Sequence, residues 1–213
     1  MAFSDQAATG AGLCCPGESG RRLFPIKVKE ISGIVLAGGK SRRMGTKKSE
    51  LKLGGRTLLE IQVRKLQKLG VEDIMISGYD EPVGGTRALA DIYPDKGPLG
   101  GVHACLLAAE KPACLVLSVD VPLIPEEVLE TLVQAHEGGV TMLAHDGKTE
   151  PLLAVYDADL AARAESLILS DIRAMRALAD SGPVRKVEYT GDLELLLNCN
   201  TPEDYEKAKR LWK

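Results

Sequence analysis

Nowhere in the 213-residue chain do 18 apolar residues run uninterrupted, which argues against a membrane-spanning helix. The first 25 residues also lack an apolar segment of signal-peptide length, so a soluble, cytoplasmic protein is expected. None of the five cysteines (Cys14, Cys15, Cys105, Cys114 and Cys199) forms a C-x-x-C pair. Three of them lie inside apolar runs, where thiols act as small core residues in a reducing compartment. His103 and His145 have no partners at ligand spacing, which argues against a histidine-bound metal. With 27 basic and 30 acidic residues the net charge is -3, so no global basic field invites nucleic acid, and any phosphate recognition has to be local. No internal repeat is visible.

What is present is an alternation of apolar runs and helical periods. Residues 1–28 are rich in Gly, Ala and Ser without a period of 2 or 3.6 and read as a flexible extension, leaving 29–213 as the folded domain. Ile31 onward is a short apolar run of the kind buried in parallel sheets. Thr57-Leu-Leu-Glu60 reads as a capping box, Leu59, Val63 and Leu66 recur at helical spacing, and Gly70 offers a stop. Val71–Ser77 follows as a second strand, with a short third at Arg87–Ala90. A helix through His103, Leu106 and Leu107 leads to Ala113–Val119, a nearly all-apolar central strand. Pro125 suits the first turn of the next helix. Gly139–Ala144 and Leu152–Tyr156 read as strands with reversed direction at one edge. A helix over Asp171–Ala179, a strand near Val184–Tyr189 and a helix started by Thr201-Pro202 finish the chain. The expectation is a single three-layer α/β/α, Rossmann-like domain with a mostly parallel sheet.

The chemistry-bearing stretch is Ile31–Lys48, where the first strand stops at Gly38-Gly39 and gives way to a loop holding Lys40, Arg42, Arg43, Lys47 and Lys48. Such a loop leaves from the carboxyl end of its strand, where open α/β sheets bind ligands. Glycines there permit close backbone approach and leave consecutive N–H groups free to cradle an anion. Gly38-Gly-Lys-Ser41 is not a Walker A loop, because Ile34 stands where its first glycine belongs. The G-x-G-x-x-G fingerprint also fails, since the next glycine after Gly39 is Gly45. A bland alternative is a glycine turn followed by solvated charge, but so dense a like-charge cluster is unfavourable unless an anion neutralises it.

The remaining pattern, L-A-G-G-x-S-x-R-M-G-x-x-K over Leu36–Lys48, resembles the signature of nucleotidyltransferases that transfer NMP from an NTP. Further blocks narrow the resemblance: Asp91 with Gly97-Pro-Leu-Gly-Gly101, Ser118-Val-Asp120-Val-Pro122, Glu150-Pro-Leu152, and Asn198-Cys-Asn-Thr-Pro-Glu-Asp204. Together they look like the molybdenum cofactor guanylyltransferases of the MobA type. That resemblance implies GMP transfer from GTP to the terminal phosphate of molybdenum-molybdopterin, with Mg²⁺ as cofactor. It assigns the metal to Asp120, charge neutralisation on the phosphates to Lys48 with Arg43 assisting, the base and ribose side to the backbone of Leu36, Ala37, Gly38 and Gly39, and a guanine nucleotide contact to Asp91. It sets Asn200 on the pterin side, although T-P-x-D is equally a good helix start. Transient contact with molybdoenzymes or other cofactor-synthesis proteins is also implied.

Two positions depart from the family pattern. Lys47 stands where an acidic residue usually precedes the lysine, and Tyr79 falls near a usual asparagine. Both bear on base choice, so a cytidylyltransferase acting on molybdopterin, or an NTP transferase acting on a sugar or alcohol phosphate, stays open. An alternative of another class is a noncatalytic carrier or insertion chaperone for the finished cofactor, against which the presence of both Lys48 and Asp120 counts.

Overall fold

The structure is a computed structural model that describes residues 26–38 and 48–212. In chain order its elements are β1 (Ile31–Leu36), a small hairpin of β2 (Lys52–Leu53) and β3 (Arg56–Thr57), α1 (Leu58–Leu69), β4 (Ile74–Ser77), β5 (Arg87–Leu89), α2 (Pro98–Ala108), β6 (Ala113–Ser118), α3 (Glu126–Gln134), β7 (Val140–His145), β8 (Lys148–Asp157), α4 (Ala161–Leu169), α5 (Met175–Ala179), β9 (Val184–Glu188) and α6 (Pro202–Leu211). The main sheet runs β5-β4-β1-β6-β8-β7-β9.

Period-two alternation in the central strands creates the layers. Ile31 and Val35 of β1, Ile74 and Ile76 of β4, and Leu115 and Leu117 of β6 face one side, where Leu58, Leu59 and Leu66 of α1 and Leu129 and Leu132 of α3 cover them. Ile34, Met75, Cys114 and Val116 face the other side and meet Leu99, Val102 and Leu106 of α2, Ala164, Leu167 and Ile168 of α4, and Leu178 of α5. A strand buried on both faces has to be apolar throughout, as β1 and β6 nearly are. The fold is thus the expected α/β/α sandwich. The capping box on α1 forms as read, with Thr57 Oγ1 accepting from Glu60 N–H and the Glu60 carboxylate accepting from Thr57 N–H, and Gly70 closes the helix.

Several elements depart from the sequence expectation. The reversed strand is not at an edge: β8 lies between β6 and β7 and is antiparallel to both, while β7 pairs in parallel with β9. Reversal follows from the short Asp146-Gly147 turn, with both residues at positive φ, which sends the chain straight back beside β7. The helix expected over Asp171–Ala179 begins only at Met175, because Asp171 is left-handed at φ 57° and the chain turns there. The helix α4 and the hairpin β2–β3 were not foreseen. No helix among the described residues is long and apolar enough to cross a membrane.

Candidate active site

The parallel strands β1, β4, β5 and β6 end on one rim, and the short β8 turn brings Glu150-Pro151-Leu152 to the same rim from the opposite direction. Just beyond β6 the chain is fixed at both sides of Asp120: its N–H donates to Ser118 Oγ at 3.2 Å, and its carbonyl accepts from Cys199 N–H at 2.7 Å. Lys48 opens a single helical turn that re-enters the structure, with Leu51 N–H donating back to the Lys48 carbonyl at 3.1 Å. Its ammonium lies 3.0 Å from Asp120 Oδ1 and donates to Asn200 Oδ1 at 2.6 Å. Three segments far apart in sequence therefore meet at one cation.

Asn200 is held by the start of α6. Asp204 accepts from the backbone N–H groups of Asn200 and Thr201 at 3.1 and 2.9 Å, while Thr201 Oγ1 caps the helix by accepting from Asp204 N–H. Burial opposes charge on Asp204, yet these hydrogen bonds prevail and hold its carboxyl below the usual carboxylate range. The two readings of this block are thus compatible: the cap is what orients Asn200.

At the other end of the rim, β1 and β4 are stitched by Ala37 N–H donating to the Ser77 carbonyl at 2.9 Å. Gly38 and Gly78 then touch back to back. Gly78 has φ 77°, and a Cβ on it would sit 2.3 Å from Gly38 Cα, so a side chain there is barred by conformation and by space. Ser77 Oγ donates to Asp91 Oδ1 at 3.2 Å. Helix α2 presses its first turn onto this pair, since a Cβ on Gly101 would fall 2.1 Å from Ser77 Oγ. The second and third glycines of G-P-L-G-G thereby bring a helix N-terminus beside the Asp91 carboxylate.

Two clefts open on this rim. One, of about 500 Å³, lies beyond β4 and β5 and is lined by Gly78, Tyr79, Asp80, Leu89 and Asp91 among others. The second, of about 340 Å³, includes Ser118, Val121, Leu152, Arg173 and Asn198. Both are of a size suited to small ligands. Asp91 lines the first, whereas Ser118 and Val121, flanking Asp120, line the second. No three His, Cys, Asp or Glu side chains converge among the described residues. Among the described residues, a divalent ion beside Lys48 would find one protein carboxylate, Asp120, partly open to solvent. That donor set fits Mg²⁺, which completes its shell with water and substrate phosphates.

The same outline is found in known proteins. The family model for the MobA-like NTP transferase domain matches residues 33–186. A protein of Carboxydothermus hydrogenoformans named probable molybdenum cofactor guanylyltransferase is 32% identical over 201 residues, which cover 87% of this chain and 98% of that one. One of the same name from Chloroflexus aggregans is 35% identical over 189 residues, covering 82% and 91%. The chain belongs to the MobA-like NTP transferase family. It is a nucleotidyltransferase, and the solved structures most like it include molybdopterin-guanine dinucleotide biosynthesis protein A of Archaeoglobus fulgidus, with TM-score 0.72 and 27% identity over 85% of this chain and 98% of that one. A 2-C-methyl-D-erythritol 4-phosphate cytidylyltransferase of Thermus thermophilus shares the fold at TM-score 0.65 and 20% identity, over 85% and 98%.

Within this MobA-like chain, the residues singled out in the sequence distribute as follows. Lys48, Asp120 and Asn200 converge; Leu36, Ala37 and Gly38 end β1 on the same rim; Asp91 stands across the Gly38–Gly78 contact. Arg43, Gly39 and Lys47 lie outside the described residues, as do residues 1–25. Ile26 is buried in the core and Val28–Glu30 form a helical turn ahead of β1. Ser77 and Gly78 were not singled out, although a glycine placed directly after the Val71–Ser77 run was the signal for a tight corner beside Gly38. Arg173, at the rim of the second cleft, lies in a loop within the stretch 171–179 that the sequence predicts as helix.

Proposed function

We propose that this enzyme transfers GMP from GTP to the terminal phosphate of molybdenum-molybdopterin, giving molybdopterin guanine dinucleotide and pyrophosphate. The observation that carries the reading is the meeting of Lys48, Asp120 and Asn200 on a rim with a cleft to either side, in a chain whose relatives are named molybdenum cofactor guanylyltransferases. GTP takes the first cleft, its base toward Asp91 and Tyr79 and its α-phosphate toward Gly38 and Lys48. The pterin takes the second, toward Asn198 and Asn200. An acceptor phosphate oxygen attacks the α-phosphorus in line; a new P–O bond forms as the bond to the β-phosphate breaks and pyrophosphate departs.

Asp120 is suited to hold the Mg²⁺, which when bound offsets negative charge on the phosphates. Lys48 adds a fixed positive charge where two anions have to be brought together, with Arg43 assisting. Asn200 and Asp120 hold the Lys48 ammonium in place before substrate arrives, so its orientation is set in advance. No protein nucleophile is required, because a phosphate monoester is already an anion at neutral pH. We assign residues 29–213 to the transferase domain and the protein to the cytoplasm, with transient contact to molybdoenzymes and no role for nucleic acid or membrane.

The test is thermal unfolding with GTP, CTP, ATP and UTP, with and without Mg²⁺, followed by pyrophosphate release with loaded molybdopterin. GTP alone should raise Tm strongly, since only a ligand of the folded state stabilises it. A larger shift with CTP would move the assignment to a cytidylyltransferase. Tight binding of the finished dinucleotide without pyrophosphate release would mark a carrier.

A further inference from the structure

The segment that follows Ser118, Val119–Ile124, carries Asp120 and runs neither in a strand nor in a helix, yet it is largely buried. Its carbonyls consequently need donors from elsewhere, because a buried unpaired carbonyl is strongly unfavourable. Two side chains on one face of α1, three residues apart, provide four of them. Gln62 Nε2 donates to the Ser118 and Val121 carbonyls at 2.8 and 2.9 Å. Lys65 Nζ donates to the Pro122 and Ile124 carbonyls at 2.6 and 2.7 Å. Gln62 is fully buried and Lys65 nearly so, which is unusual for a lysine unless its ammonium is paired or hydrogen-bonded. With Cys199 N–H on the Asp120 carbonyl, five carbonyls around Asp120 have donors, four of them from this one helix.

The same helix is tied at its first residue to the other half of the site. Leu58 N–H donates to the Leu51 carbonyl at 2.8 Å, and Leu51 N–H to that of Lys48 at 3.1 Å. Helix α1 is a common rigid reference: its start fixes the Lys48 turn, and one turn later Gln62 and Lys65 fix the Asp120 turn.

We propose that Gln62 and Lys65 are positioning residues that set Asp120 in register with Lys48, and so govern how well the carboxylate captures the divalent ion beside the nucleotide. This rests on the nucleotidyltransferase reading of the site. Neither side chain touches substrate; both act through the backbone of the segment they hold. A purely structural role, filling buried hydrogen bonds, would lower stability without changing metal capture.

The experiment compares Gln62→Met and Lys65→Met with Val63→Ala, a core truncation on the neighbouring position of the same helix that leaves the segment's donors intact. Each is titrated with Mg²⁺ at fixed GTP, read as the shift in Tm, and kcat and KM for GTP are measured at saturating metal. For the two positioning variants the Mg²⁺ needed for half the effect should rise about tenfold or more. Their kcat should fall with KM for GTP little changed, and their stabilisation by GTP without metal should match wild type. Val63→Ala should change Tm alone. Lys65→Gln, which keeps an amide donor on a shorter stem, supplies the same readouts if Lys65→Met does not fold, with an intermediate shift expected. Metal half-effects equal to those of Val63→Ala would overturn the proposal. Failure of GTP to stabilise the wild type would instead refute the underlying site assignment, so the two failures are distinguishable.

Discussion

Lys48 and Asp120, 72 residues apart in the chain, form a half-buried ion pair of 3.0 Å. A pair of this exposure contributes at most about 1 kcal/mol to stability, so its persistence is better accounted for by chemistry than by folding. The two groups are opposite in sign, and the proposed reaction gives them complementary tasks, a cation for one and phosphate oxygens for the other. The Asn200 oxygen on the same ammonium leaves Lys48 with a third donor direction for a substrate oxygen.

Removing either charge should therefore separate activity from stability. Asp120→Asn and Lys48→Met are each expected to lower kcat by about 10²–10³-fold. Their urea midpoints should stay within what about 1 kcal/mol produces. Pyrophosphate release and equilibrium unfolding on the same preparations check both halves, and full turnover by Asp120→Asn would remove it from the mechanism.

The Gly38–Gly78 contact predicts the opposite balance. Gly78→Ala places a Cβ 2.3 Å from Gly38 Cα at a residue with φ 77°, so the β1 and β4 corners have to part. A loss of about 1–3 kcal/mol is expected. Stabilisation by GTP should also decline, because the same displacement moves the backbone that lines the cleft proposed for the nucleotide. Circular-dichroism melts with and without GTP read both, and unchanged values would show that the corner is more compliant than its geometry indicates.

Lys65 adds a pH dependence with a definite sign. Burial pushes its pKa down to about 7, with Glu126 pulling it partly back up and Lys68 adding to the depression. An unfolded-chain lysine titrates near 10.4, so between about pH 7 and 10 the unfolded chain holds a proton that the folded chain has shed, and stability rises with pH. Below about 7 both states are protonated and the penalty is constant. The buried thiols Cys105 and Cys199, pushed up by burial to about 12 and about 11, act oppositely above about pH 8.5. The informative quantity is consequently the difference between wild type and Lys65→Met. From pH 7 to 9 that difference should shift toward wild type by about 2 kcal/mol in urea unfolding, whereas a constant difference would mean that Lys65 stays charged throughout.

Much of this was legible in the sequence because burial on two faces forces a particular composition. The β1 and β6 runs are apolar because helices cover both sides, and the cap from Thr57 to Glu60 is a local hydrogen-bond geometry that four residues specify by themselves. Lys48 and Asp120 were legible through motif spacing. Strand order was not: nothing local in Lys148–Asp157 states that it inserts between β6 and β7. Helix α4 was missed because two of its four buried positions, Ala161 and Ala164, are alanines, which give a weak apolar period. Gln62 and Lys65 were invisible for a different reason. On a helix whose buried stripe reads Leu59, Val63 and Leu66, polar residues look solvated unless the carbonyls they meet, some 60 positions later, are known.

The inverted β8 has a consequence for how such enzymes diversify. A wholly parallel array offers only the tails of its strands along the upper margin; here the head of one strand joins them, so Glu150–Leu152 meets the margin from its own separate connection. The second hollow can be reshaped through that lead-in and the neighbouring bend near Arg173, while the residues that line the first stay untouched. One flipped strand thereby makes the two hollows independently adjustable.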